Sequence, residues 1–464
     1  MRGGGGARAG GFHWAARIAT APKEVKKRMM PFFAHRPQEY PFRLHPNKKF
    51  CHYISIFHPI HVGLFYLYLP MYHVRLQKIM PSPKTENENA SPSGSATADK
   101  IPPFQSRKIV FLGFILSIAV MVRHAGNTAY YQHLPDGPMR LANYAVQTFF
   151  SDFIGGAAVP MFFIISAFLF FTNYTTALWP SKVKSRIGTL LVPYLIWSAF
   201  ALALFSAACA LPPVAERMNG GMGGVNFTPL CILKDIVTAR FAEVLWFIYQ
   251  LMAYILFSPA IYLAAKNRRT FAVSAIALFA YLSAWCTDYM EGSVLTIRPA
   301  GLFYYLLGAG MALHFRSAAL VQTGWRQTLA MGAGGAVCFI CQKCLDIPFL
   351  FISYTLLMCA FFWQAAGLLM PKTLGWIMHI SFYIYASHIF LVIPIKKALF
   401  FALPKTGFFS LLNYALSVAM TAAIVFASAY FISKKFPFLW KLINGGRGKA
   451  AASRKKIAGN TSPA

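Results

Sequence analysis

Two histidines carry most of the chemistry this chain can offer. His124 closes the apolar run KIVFLGFILSIAVMVRHAGN (residues 108–127), and His388 lies in ISFYIYASHIFL. A titratable side chain at membrane depth is costly and as a rule faces the interior of a helix bundle, which makes each a functional candidate. On a helix Gly113, Ser117, His124 and Asn127 share one face, since their spacings of four, seven and three follow the 3.6-residue period. Ser381, Tyr385 and His388 repeat at four and three and form a second stripe. Small and polar stripes on greasy helices face protein or water rather than lipid. A neutral imidazole, with an unperturbed pKa near 6.5, suits the removal of a proton from a hydroxyl. The bland reading makes each ring a satisfied interhelical hydrogen-bonder. Matched depth argues against it: Lys108 to His124 and Lys372 to His388 are each 16 residues. Two continuous helices rising from one face would lift both rings about 24 Å, toward the outer side.

The elements that must position these rings are membrane helices. Of the 464 residues, 57% are hydrophobic and only 12% charged, against roughly 25% charged in soluble domains. The net charge of +31 does not indicate nucleic acid, because the cations cluster in the first 79 residues, in short loops and in a C-terminal tail. Juxtamembrane Lys and Arg of this kind set topology and meet anionic lipid. Ten apolar runs follow one another: 107–125, 153–174, 187–212, 244–265, 271–287, 299–314, 327–344, 348–370, 374–397 and 408–432. The predicted fold is an all-α polytopic membrane bundle of about ten helices.

Residues 1–79 stand apart, with thirteen Lys/Arg, two acids and seven of the twelve histidines. They carry no secretory signal pattern. Either they hold an extra membrane-associated segment, or the start is over-long and the protein begins near Met80. Residues 80–106 read as a Pro/Ser-rich disordered cytoplasmic linker, 107–435 as the membrane domain and 436–464 as a basic cytoplasmic tail. With the N-terminus inside, the four inner loops carry nine Lys/Arg in 33 residues, and the acids after residue 100 fall in outer loops or at their edges. The positive-inside rule therefore predicts N-in, C-in. Lys396 and Lys397 fall at an outer end and read foremost as snorkelling anchors, with service to an anionic ligand as the alternative.

With no Asp or Glu expected inside a helix, carboxylate relays and paired-carboxylate hydrolysis have no residues to run on. Cys338, Cys341 and Cys344 read C-x2-C-x2-C, but the position four residues on is Pro348. An iron–sulfur run needs a Cys there, so the three are expected to be small buried hydrophobes and no metal site is predicted. Arg123 adjoins His124 about 100° round the helix and, with Asn127, is a candidate for substrate contact. Ser166 stands in a helix of small residues, which favours close packing. Arg186 could meet a phosphate or anchor topology. Trp246, in EVLWFIYQL, completes the marked positions.

Six pieces in this order, AVMVRHAGN, VPMFFIISAFLF, SRIGTLLVPYLIW, LWFIYQL, YYLLGAGMALHF and ISFYIYASHIFL, resemble the type-3 acyltransferase family over about residues 106–435. That family comprises integral membrane O-acyltransferases of the bacterial inner membrane. The resemblance implies transfer of an acyl group, acetyl foremost, from acyl-CoA as co-substrate to a hydroxyl of a surface or lipid-linked glycan. No bound cofactor is implied. His124 matches the family's helix-one histidine. Two departures stand out: Gly113 replaces an Arg commonly found eleven residues before that histidine, and Ser166-Ala167 replaces Ser-Gly. Lys108 or Arg107 could substitute for the missing Arg. His124 is then the expected base, with His388 and Tyr385 orienting the acceptor or polarising the thioester. Arg186, Lys266, Arg268 and Arg269 are expected to meet the donor's phosphates. The alternative is a transporter or flippase for a lipid-linked glycan, against which no internal repeat or matched pair of broken helices is visible.

Overall fold

A computed structural model describes residues 101–133, 137–210, 225–285 and 297–447. Residues 1–100, four of the acids expected at the outer face (Asp136, Glu216, Asp288 and Glu291) and the tail beyond Arg447 lie outside it. Among the described residues the chain is helical throughout.

Its helices are α1 (Pro103–Ala125), α2 (Pro138–Gln147), α3 (Ala158–Phe171), α4 (Trp179–Arg186), α5 (Val192–Cys209), α6 (Pro229–Val237), α7 (Trp246–Leu256) and α8 (Ser258–Ala265). There follow α9 (Arg268–Trp285), α10 (Pro299–His314), α11 (Arg316–Leu320), α12 (Trp325–Leu345), α13 (Pro348–Leu369), α14 (Ser381–Ser387), α15 (Ile389–Ala402), α16 (Gly407–Lys435) and α17 (Pro437–Ile443). Proline explains many of the starts. It occupies the first turn of α1, α2, α4, α6, α10, α13 and α17, where its missing N–H has no intrahelical partner to lose. Two π-helical turns, Thr148–Ile154 and Ile187–Leu191, join α2 to α3 and α4 to α5 without a break in direction large enough to end the span.

The ten apolar runs are helical where they are described, and the candidate spans among the described residues number six to eight. Six helical stretches are long and apolar enough to cross a bilayer: Pro103–Tyr131, Pro138–Phe171, Thr176–Cys209, Trp325–Leu345, Pro348–Leu369 and Gly407–Lys435. Counting each bent pair as one span raises the number to eight among the described residues. The pairs are Glu243–Leu256 with Ser258–Ala265, bent by 69°, and Trp376–Ser387 with Ile389–Ala402, bent by 68°. Two of the apolar runs fall outside these spans for local reasons. Helix α10 is only 16 residues long, against the ~20 a bilayer core requires, and α9 opens on Arg268-Arg269.

Helix α1 is the hub, touching α3, α13, α14, α15, α16 and the π-turn after α2. Its contact with α14 runs through small groups: Ser117 Oγ donates to Ser381 O at 3.0 Å, and Gly113 lies against the Ser381 side chain. The first predicted stripe therefore faces inward as expected. Tight packing also joins α10 to α3, where Gly308 meets the Ile164 carbonyl and the Ala167 methyl. Helix–helix association in lipid depends on such close approaches because the solvent is as apolar as the side chains.

Candidate functional site

Helix α1 ends where Gly126 leaves the helical region (φ −47°, ψ 132°), which exposes the carbonyls of its last turn. A helix end in an apolar setting needs outside donors for those oxygens. Lys396 of α15 supplies them: its Nζ donates to His124 O at 2.8 Å and to Gly126 O at 2.7 Å. A cation at a helix C-terminus also opposes the helix dipole. No carboxylate pairs with this ammonium among the described residues. Lys396 is thus no free anchor at the outer edge, as its sequence position suggested; it fixes the backbone that carries His124.

His388 sits at the bend between α14 and α15. Its carbonyl accepts from both Leu391 N and Val392 N, which tightens the chain at that point. The ring is wholly buried, and its centroid lies 5.3 Å from that of His124, with the planes tilted by 42°. The two histidines do meet. The route differs from the sequence estimate, because residues 376–380 form a 3-10 turn and the rise from Lys372 to His388 is not one continuous α-helix.

One hydrogen bond decides the His388 tautomer. Nδ1 lies 3.1 Å from Ile384 O, and a carbonyl oxygen can only accept, so Nδ1 carries the proton. Nε2 then presents a lone pair. It is buried and has no hydrogen-bond partner. An orphaned buried acceptor costs about 1–3 kcal/mol and calls for a reason. The His124 ring, half-buried beside it, makes no hydrogen bond among the described residues. Two imidazoles with uncommitted nitrogens lie with their ring centroids 5.3 Å apart, close enough for one ring to accept an N–H from the other. Such a pair can accept, hold and return a proton.

The other candidates separate into near and far. Tyr385 stands beside His388, with centroids 6.3 Å apart, but its hydroxyl donates to Val244 O. Arg123 turns away from His124: its NH1 donates to Ser151 O at 3.3 Å and lies 3.8 Å from Asp152 Oδ1. Asn127 is buried and spent on structure. Its Oδ1 accepts from Gln147 Nε2 at 2.8 Å and Ser410 Oγ at 2.9 Å, while its Nδ2 donates to Ser410 O at 2.9 Å. These contacts tie Asn127 to α2 and α16. Ser166 lies half-buried in α3, which packs closely on α10. Trp246 is buried under the Arg298 guanidinium, 4.4 Å from its ring centroid. Arg186 closes α4 at the π-turn that leads into α5.

Several further expectations need correction. Asp152 is not at a loop edge but within the π-turn of a continuous span, bridged to Arg123 and, at 3.6 Å, to Lys343. Asp235 is buried in α6 and paired with Arg240 at 3.3 Å. Neither Lys108 nor Arg107 is free to stand in for an Arg at Gly113. Lys108 is fully buried between Gln322 Oε1, at 3.1 Å, and the Trp363 ring, at 4.4 Å. Arg107 donates to the carbonyls of Pro371 and Lys372. Cys338 and Cys341 are only half-buried and Cys344 is exposed, on a helix that contributes little to the core.

A polar stripe on α16 escaped the sequence reading altogether. Ser410, Asn413, Ser417 and Thr421 are all completely buried, at spacings of three and four. Ser417 Oγ donates to Asn413 Oδ1 at 3.0 Å, and Asn413 Nδ2 donates to Lys396 O at 3.2 Å. The stripe supports the Lys396 backbone and, through Ser410, the Asn127 network. Its periodicity is the signal that could have revealed it.

Residues 111–433 match the family described as an acyltransferase domain, acyltransferase 3. No curated protein and no solved structure matches the chain. The matched span covers well over half of the sequence and runs from α1 through α16, so that both histidines fall inside it. The chain belongs to the type-3 acyltransferase family.

Proposed function

We propose that the protein transfers an acyl group, acetyl foremost, from acyl-CoA to a hydroxyl of a surface or lipid-linked glycan, as a multi-pass protein of a bacterial inner membrane. The observation that carries the chemistry is the His124–His388 pair, with its buried and unpartnered Nε2. In this reading the acceptor O–H gives its proton to His124 while the oxygen attacks the thioester carbonyl. His388 Nε2 can take an N–H from the imidazolium so formed, the part an orienting carboxylate plays elsewhere. Collapse of the tetrahedral intermediate breaks the C–S bond. The thiolate leaves with the proton returned by His124, and the acceptor keeps the acyl group as an ester. Since thiols ionise near pKa 8.5, the leaving group needs no strong acid.

Charge on the developing oxyanion has one nearby answer. Lys396 spends two hydrogen bonds on the α1 carbonyls, and an ammonium has three donors. A cation without a carboxylate partner, next to the reacting base, favours an anionic transition state. Both ends of the membrane domain would be cytoplasmic, in line with the positive-inside count.

Mass spectrometry of surface glycans tests the reading in cells carrying wild type, His124→Ala, or no copy. The expected result is an acyl mass increment with wild type alone. An increment that survives His124→Ala overturns the role of His124. Glycan export lost in the deletion, with no increment in any strain, overturns acyl transfer in favour of transport.

A further inference from the structure

The chain does not stop with its last long helix. After Lys435, α17 turns back against α5 and α16. Trp197 Nε1 donates to Ile443 O at 3.0 Å, and the Trp440 ring lies 5.1 Å from that of Tyr383. Gly445 and Gly446 then take φ of +61° and +69°, a backbone that residues with a Cβ seldom adopt. A Cβ at Gly445 would also press to 2.5 Å on the Thr189 carbonyl oxygen. This turn delivers Arg447, whose guanidinium stacks 4.2 Å from the Phe382 ring centroid. Asn444 Nδ2 donates to Arg447 O at 3.0 Å and closes the strap.

Thr189, against which the strap lies, is three residues from Arg186. That places Arg186 one helical turn before the strap contact, and its charge acts on Arg447. Arg186 is half-buried, and no hydrogen bond or carboxylate occupies it among the described residues. Arg447 commits one donor, at 3.3 Å, to Asn444 O. Burial, with the Arg186 charge beside it, lowers Arg447 to about 10, so it remains a cation at neutral pH. The Tyr305 hydroxyl, wholly buried and without a hydrogen-bond partner, lies within electrostatic reach of Arg186. A fold that returns a cation to a second cation and leaves a phenol O–H unspent between helices has arranged donors for an anion. Two planar forks can each grip oxygens in pairs, which suits phosphate.

We infer that Arg186, Arg447 and the Tyr305 hydroxyl form a binding site for a phosphate-bearing group, completed by the C-terminal strap. Arg447 lies beyond the residues that match the family, 111–433, so this contribution belongs to the chain's own tail. Phe382, under Arg447, begins the same short helix that leads to Tyr385 and His388. The inference deepens the acyl-transfer reading, under which the phosphates are those of acyl-CoA. The same chemistry would take the diphosphate of a polyprenyl-linked glycan.

The test is binding to the purified full chain in detergent, with acetyl-CoA, adenosine 3′,5′-bisphosphate and a short-chain polyprenyl diphosphate as probes. Wild type is expected to bind acetyl-CoA and the bisphosphate and to release acetyl-CoA when inorganic pyrophosphate is added. Arg447→Gln and Arg186→Gln should each weaken binding of the bisphosphate at least tenfold, with Arg447→Lys regaining part of the loss. Pyrophosphate competition reads the site in wild type, so a variant that fails to fold does not remove the test. Arg447-dependent binding of the polyprenyl diphosphate alone keeps the site and overturns acyl-CoA as its ligand. Wild-type affinity in a folded Arg447→Gln protein, or no binding of any probe by wild type, overturns the site.

Discussion

Replacing His388 by leucine separates a catalytic role from a structural one. In the native protein the ring is buried and its Nε2 has no partner, at a standing cost of about 1–3 kcal/mol. The ring donates Nδ1–H to Ile384 O at 3.1 Å, a bond worth about 0.5–1.5 kcal/mol. Its loss orphans nothing, because Ile384 O keeps the His388 backbone N–H at 3.1 Å. A misfit of about 1 kcal/mol is the ordinary cost of a hydrophobic side chain of similar volume. These terms nearly cancel, so His388→Leu should unfold within a few degrees of wild type. Acyl transfer should fall by about 10²–10⁴-fold, the usual contribution of a positioned acid–base group. The assay pairs initial rates of acetyl transfer from acetyl-CoA with thermal unfolding of the same detergent-purified sample. A rate within threefold of wild type refutes the assignment. A rate that falls in step with a large drop in unfolding temperature makes His388 a packing residue instead.

Lys396→Met removes two charge-assisted hydrogen bonds from the end of α1, each worth about 1.5–3 kcal/mol. It should lower kcat by at least tenfold with little change in KM for the donor, and Lys396→Arg should regain part of the rate; an unchanged kcat would detach Lys396 from the reaction. Asn127→Ala breaks a network of fully buried amides. The unfolding temperature should fall while KM for either substrate stays put, and a KM effect without destabilisation would restore a substrate role to Asn127. Gly308→Val drives a side chain into the Ile164 carbonyl and Ala167. Loss of folded protein in detergent is expected, and normal yield and unfolding temperature would contradict the close α3–α10 approach.

Much of the architecture was legible from local patterns. Apolar runs become helices because lipid leaves the backbone no other partner than itself, and proline marks where many of them begin. The inward stripe on α1 was readable because Gly113 and Ser117 recur with the helical period and no lipid-facing surface favours them. The family followed from residues 106–435 for the same reason: short motifs in a fixed order survive as one-dimensional information. The bends were harder to see. The break at His388 arises within an apolar run with no local punctuation at that residue, and it made a continuous-helix estimate of depth wrong in its route.

Side-chain commitments belong to the tertiary structure. Sequence placed Arg123, Asn127 and Tyr385 beside the histidines along the chain, yet Asp152, Gln147 with Ser410, and Val244 claim their polar atoms from other helices. Those partners lie from twenty to more than two hundred residues away, and no periodicity reports them. Lys396 shows the converse. It looked like an anchor because its charge stood near a helix end, and only the meeting of α1 with α15 turned it into the support of His124. By itself the sequence determined that there are helices and singled out two histidines that the fold brings together. Only the packing decided which donors and acceptors are already spent. A hydrogen bond is settled by three-dimensional proximity, whereas a helical face is settled by counting along the chain.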